Sequence, residues 1–130
     1  MSVGSERVTI VNRYIPRHGA ARFVAAATAL ARRVKAEGDP GVRSYQFFCA
    51  EGGEARAVVA YDSPEAWVGH HDIAMGWPEM AALREAADLV EIAIHGPLSE
   101  GMRAWLERAE MMPRVCHHGE AVAGFLRTHG

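Results

Sequence analysis

Two hydrophobic periodicities alternate along this chain in an order that few folds accommodate. Across residues 7–14, Val8, Ile10, Asn12 and Tyr14 fall on one face and Thr9, Val11 and Arg13 on the other, a strand pattern that Pro16 ends. From Gly19 the spacing changes. Phe23, Ala26, Ala27, Leu30 and Val34 recur at three- and four-residue steps, which predicts an amphipathic helix of about five turns. Gly38-Asp39-Pro40-Gly41 stops it. Residues 42–49 and 54–61 are rich in β-branched and aromatic side chains and flank Ala50-Glu51-Gly52-Gly53, whose glycines suit a hairpin turn.

Ser63-Pro64-Glu65 reads as an N-cap followed by proline in the first helical turn. The helix it opens carries Trp67, His70, His71 and Ala74 on one side and ends near Gly76. Trp77-Pro78 starts a further turn with Met80, Leu83 and Ala87 in its stripe, and residues 89–95 form a last strand with Val90, Ile92 and Ile94 on one face. The order strand, helix, strand, strand, helix, strand predicts an α+β fold, the ferredoxin-like βαββαβ unit with both helices on one side of an antiparallel sheet. Its other face then carries several of Val8, Ile10, Val58, Ala60, Ile92 and Ile94, or their alternates. Such an apolar face needs a second subunit or a ligand cavity to cover it. We place this unit in residues 1–98. Residues 99–130 read as a helical C-terminal extension of the same domain, with one stripe at Met102, Trp105, Leu106 and Ala109 and a shorter one at Val122, Phe125 and Leu126.

Composition narrows the function classes. With 130 residues, 49% apolar and 23% charged, the chain is one ordinary globular domain. A formal net charge of −2 argues against nucleic acid as the partner. No apolar run is long enough for a membrane span or a signal peptide, so the expectation is a cytoplasmic protein. Cys49 and Cys116 lack metal-type or disulfide-rich spacing. Cys116-His117-His118 with His129 groups soft ligands, but reads as a solvated tail. Serine-elbow, phosphate-loop and dinucleotide motifs are absent.

Asn12-Arg13-Tyr14 on the first strand, the helix with Phe23, Tyr45-Gln46-Phe47, Val58-Val59-Ala60-Tyr61 and the segment from Ser63 to His71 together resemble the antibiotic-biosynthesis-monooxygenase type of dimeric α+β barrel. The resemblance implies a homodimer whose two sheets pack face to face, with a pocket between each sheet and its helices. Some relatives oxidise polycyclic phenols or quinols with molecular oxygen and no cofactor; others degrade haem. The haem-degrading pattern pairs a first-strand asparagine with a tryptophan and a histidine on the second helix. Asn12 matches, but the other two positions fall on His70 and Met80, which disfavours that activity.

The candidate catalytic residues are His71, His70 and Asn12, with Trp67, Tyr45, Tyr61 and Arg43 as candidate substrate-binding residues and no metal ligand or cofactor. A histidine titrates near neutrality and can take a phenolic proton. Adjacent helical residues lie about 100° apart, so only one of His70 and His71 is expected to point fully inward. Asn12 is either a structural amide or a donor to a substrate oxygen, and Trp67 either core packing or the wall of a pocket. The resulting expectation is a cofactor-free monooxygenase acting on a planar phenolic or quinone-like molecule. The alternative is a non-catalytic barrel that binds a small apolar ligand or a partner subunit.

Overall fold

The computed structural model describes residues 6–127. Its elements are β1 (Val8–Pro16), α1 (Ala20–Glu37), β2 (Val42–Cys49), β3 (Ala55–Tyr61), α2 (Pro64–Ala74), α3 (Pro78–Ala86), β4 (Ala87–His95), α4 (Glu100–Arg108) and β5 (Val115–Gly119), with a single 3-10 turn at Met112–Arg114. They build one five-stranded sheet in the order β2-β3-β1-β4-β5. The first four strands have the ferredoxin-like arrangement, all antiparallel, with β1 held between β3 and β4. β5 adds a parallel edge beside β4.

The helices cover one face of the sheet. Val8, Ile10 and Tyr14 of β1, Ala55, Ala57, Val59 and Tyr61 of β3, and Ile92 and Ile94 of β4 are buried in one core with Phe23, Ala27, Leu30 and Val34 of α1. The opposite face shows the alternates. Val11 lies in one row between Val58 and Ala93, and Thr9 lies beside Ala60. Of the residues named above for the uncovered face, only Val58 and Ala60 belong to it.

Local chemistry fixes the helices around the site. Ser63 Oγ accepts a hydrogen bond from the Ala66 amide at 3.1 Å and so caps α2, with Pro64 in its first turn. Arg33 of α1 donates to Glu79 of α3 at 2.8 Å, and its guanidinium lies 4.3 Å from the centre of the Trp77 ring. The turn after α1 is pressed onto α2. Asp39 Oδ1 accepts from the Gly41 amide at 2.8 Å, and a β-carbon on Gly69 would collide with the other carboxylate oxygen. Glycine at position 69 therefore lets Asp39 sit against α2 next to His70.

The segment after residue 98 differs from its expected helical form. α4 follows the predicted stripe and buries Met102 and Leu106 in the main core, but residues 115–119 form a strand and residues 120–127 form no helix. Val122, Phe125 and Leu126 are exposed. His117 Nε2 lies 2.8 Å from the Gly96 carbonyl, and the His118 ring stacks on His95 at 4.6 Å. His129 lies outside the described residues. Among the described residues, no group of three His, Cys, Asp or Glu side chains could hold a metal ion. No helix there is long and apolar enough to cross a membrane.

Candidate functional site

Between the sheet and α2, α3 and α4 lies a cavity of about 360 Å³, within the size range of small-molecule sites. Asn12, Tyr45, Tyr61, Trp67, His70 and His71 all line it. Six of the seven residues chosen from the sequence thus share one space. Arg43 does not line it. It is exposed at the start of β2 and pairs with Asp62 at 3.3 Å.

A continuous run of rings passes along the cavity, of which Tyr14, Tyr45, Tyr61, His70, His71 and Trp67 line it and Phe23, Phe47 and Trp105 pack behind them. Tyr14, Phe23, Phe47 and Tyr45 lie 5.2 to 5.9 Å from their neighbours in that order. Tyr45 and Tyr61 then flank His70 at 5.5 and 5.9 Å. His70 meets His71 at 4.9 Å, and His71 lies 3.9 Å from Trp67. Trp105 of α4 closes the run, edge-on to Trp67 at 5.3 Å and hydrogen-bonded through Nε1 to Asp72 at 3.2 Å. These contacts explain why both histidines line the cavity. α4 covers the flank of α2 that would otherwise face solvent, so two sides of α2 are interior.

The histidines are held neutral. Burial pushes His70 down to about 4, and the nearby Asp39 carboxylate only partly opposes it. Burial, with the His70 ring beside it, pushes His71 down to about 3 against a hydrogen bond to the Trp67 carbonyl. That bond also settles the tautomer. His71 Nδ1 lies 2.8 Å from an oxygen that can only accept, so Nδ1 carries the hydrogen and Nε2 keeps a free lone pair. His70 Nδ1 is buried with no partner among the described residues.

The tyrosines stay protonated as well. Burial pushes Tyr14 up to about 12, with the Asn12 amide pulling it back, and burial raises Tyr45 and Tyr61 above the usual phenol value. Around the histidines and tyrosines the chamber is uncharged and holds hydroxyl donors, one amide and an imidazole lone pair. Sequence periodicity missed Tyr14, although it shares a strand face with Asn12. It also missed Met75, Met80, Leu106 and Met111 of the lining, together with three arginines at one end.

No family model and no curated protein sequence matches the chain. Solved structures do match. SnoaB from Streptomyces nogalater, a cofactor-independent oxygenase, superposes with a TM-score of 0.59 at 21% identity over 68% of this chain and 90% of its own. A Caulobacter crescentus CB15 structure assigned provisionally to the antibiotic biosynthesis monooxygenases gives 0.58 at 22% identity, over 69% and 86%. The chain has the antibiotic-biosynthesis-monooxygenase fold. MupZ from Pseudomonas fluorescens shares this fold over more of the length, with a TM-score of 0.67 at 16% identity over 94% of this chain and 95% of MupZ. Coverage that complete has to include most of the segment after residue 98. The segment from α4 to Arg114, which adds Leu106, Ala109, Met111 and Arg114 to the cavity lining, thus belongs to the part of the fold that the match to MupZ extends over.

Proposed function

We propose that the protein is a cofactor-independent monooxygenase acting on a planar phenolic or quinone-like molecule bound in this cavity. One observation carries the reading: a chamber walled by flat rings also holds a free imidazole lone pair, at His71 Nε2, and an amide donor, at Asn12. His71 takes a proton from the activated C–H or O–H of the substrate, and Asn12 holds the oxyanion that develops. The electron-rich carbanion passes one electron to molecular oxygen. The two radicals combine into a C–O bond, and His71 returns its proton to the peroxide. Loss of water then leaves a new carbonyl, so one oxygen atom enters the product and the other leaves as water. An imidazole this weakly basic accepts the proton because the phenolate stays beside it, and the ion pair offsets the burial that disfavours its charge.

The test is oxygen uptake with a panel of anthrones and dihydroxynaphthalenes. The native protein is expected to consume oxygen with at least one of them. His71→Ala should lower kcat about 10²- to 10⁴-fold, and Asn12→Ala about 10²-fold or more, each with the fold intact by circular dichroism. The low basicity of both histidines is the observation that favours the second reading, a non-catalytic barrel for a small apolar ligand. Tight binding of such a ligand with no uptake on any panel member would establish it.

We also propose that the protein works as a homodimer joined through the open sheet face. Thr9, Val11, Val58, Ala60 and Ala93 present small, half-buried or buried side chains there, flat enough for a second sheet to lie on. Light scattering at micromolar concentration is expected to give twice the chain mass, and Val11→Arg, which sets a charge in the centre of that row, should give the monomer. A native monomer would rule the arrangement out.

A further inference from the structure

The charge at one end of the cavity runs against the charge of the chain. Arg17, Arg84 and Arg114 line that end with a single carboxylate, Asp88, in a protein whose formal net charge is −2. The four residues come from separate elements: Arg17 follows β1, Arg84 lies in the last turn of α3, Asp88 opens β4 and Arg114 closes the 3-10 turn. Only Arg17 is engaged. Its Nε pairs with Asp88 at 3.0 Å, and its terminal nitrogen donates to the Arg84 carbonyl. Arg84 reaches only the Met75 sulfur, at 3.8 Å, and among the described residues neither Arg84 nor Arg114 has a carboxylate partner.

We infer that the ligand is an elongated molecule with a carboxylate at one end, received by Arg84 and Arg114 while its ring system lies among the tyrosines and histidines. Register supplies the length. Tyr45 and Tyr61 stand in the rows of Ile10 and Val8, whereas Arg17 lies beyond Pro16. Arg17, whose terminal nitrogen holds the Arg84 carbonyl, is seven and nine residues along from those rows, roughly 23–30 Å of strand before the side chains reach toward one another. A small phenol fills one end and leaves the cations unanswered. A planar system carrying an acid side chain fills both. The guanidinium fork suits a carboxylate, with two parallel N–H donors for its two oxygens. Arg17, fixed by Asp88 and the Arg84 backbone, positions Arg84 and leaves the ligand to the other two.

This inference takes the cavity as the ligand site, as the proposed function does, but does not depend on oxygen chemistry. The experiment is therefore equilibrium binding: calorimetric titration of a hydroxynaphthyl butanoic acid and of its methyl ester into the native full-length protein. The acid is expected to bind about tenfold or more tightly than the ester at low salt, with the advantage shrinking as ionic strength rises. In Arg84→Gln/Arg114→Gln the two affinities should converge while that of the ester stays within about twofold. Lys35→Gln, a charge loss on the exposed face of α1, should leave the ratio unchanged. An acid that binds no better than the ester, a ratio that survives the double variant, or no binding of either probe would overturn the inference. A preserved ratio without oxygen uptake would instead count against the monooxygenase reading alone.

Discussion

Trp67→Ala is expected to destabilise the protein by about 3–5 kcal/mol, the range for deleting a buried aromatic side chain. Trp67 is 2% exposed and stands where three things meet: the wall of the cavity, the His71 ring at 3.9 Å and the edge-on contact with Trp105 at 5.3 Å. Alanine would open the cavity further and leave α4 without its partner on α2. The rotation of Trp105 into the void is restrained by its bond to Asp72, so relaxation recovers little of the lost packing. Trp67→Phe, which keeps a ring at the site, should lose far less. The check is urea unfolding of the single variants and of Trp67→Ala/Trp105→Ala. A double-mutant coupling of about 0.5–1.5 kcal/mol is expected for an edge-to-face pair. A loss under about 1 kcal/mol for Trp67→Ala would show that the extension holds to the domain by other contacts.

The parts of the molecule that could be read from the sequence are those where burial imposes a repeat. β1, α1 and the β2–β3 hairpin each bury one face, so Val8, Ile10, Phe23, Leu30 and Val59 recur at the period of their element. β5 buries no comparable face. Val115 to Gly119 is held by pairing with β4 and by the His117 contact with the Gly96 carbonyl, neither of which leaves a hydrophobic pattern. Arg43 was misplaced for a related reason. Counting by twos from Tyr45 puts it on the cavity face, but the pairing of β2 with β3 slips between Val42 and Ser44. The bulge turns Arg43 outward to Asp62. Neighbouring positions on α2 could not show that both histidines face inward, because the second interior flank exists only once α4 has packed there. The arginines of the cavity mouth lie 67 and 30 residues apart along the chain, and only the meeting of four element ends joins them.

Acid should destabilise the protein well before its carboxylates titrate, and the buried His70 and half-buried His71 set the direction. An unfolded histidine titrates near 6.5, whereas His70 is held down to about 4 and His71 to about 3. Between those values the unfolded chain binds more protons than the native one, so native stability rises with pH through this window. Stability is complete above about 6.5, declines as the pH drops below that, and the loss is finished near the native values. For His70 alone the shift corresponds to about 3 kcal/mol. Glu79 and Glu54, held low by hydrogen bonds from Arg33 and Arg56, add their own loss at more acid pH. The interval from about 4.5 to 6.5 therefore isolates the imidazoles. Thermal unfolding at pH 7, 6 and 5 is expected to show a falling Tm in the native protein. His70→Gln/His71→Gln should show a much flatter Tm over the same interval. A native Tm that does not move between pH 7 and 5 would mean that water hydrates both rings in the empty cavity. His71 would then meet its substrate already able to hold a proton, without needing the phenolate to stabilise it.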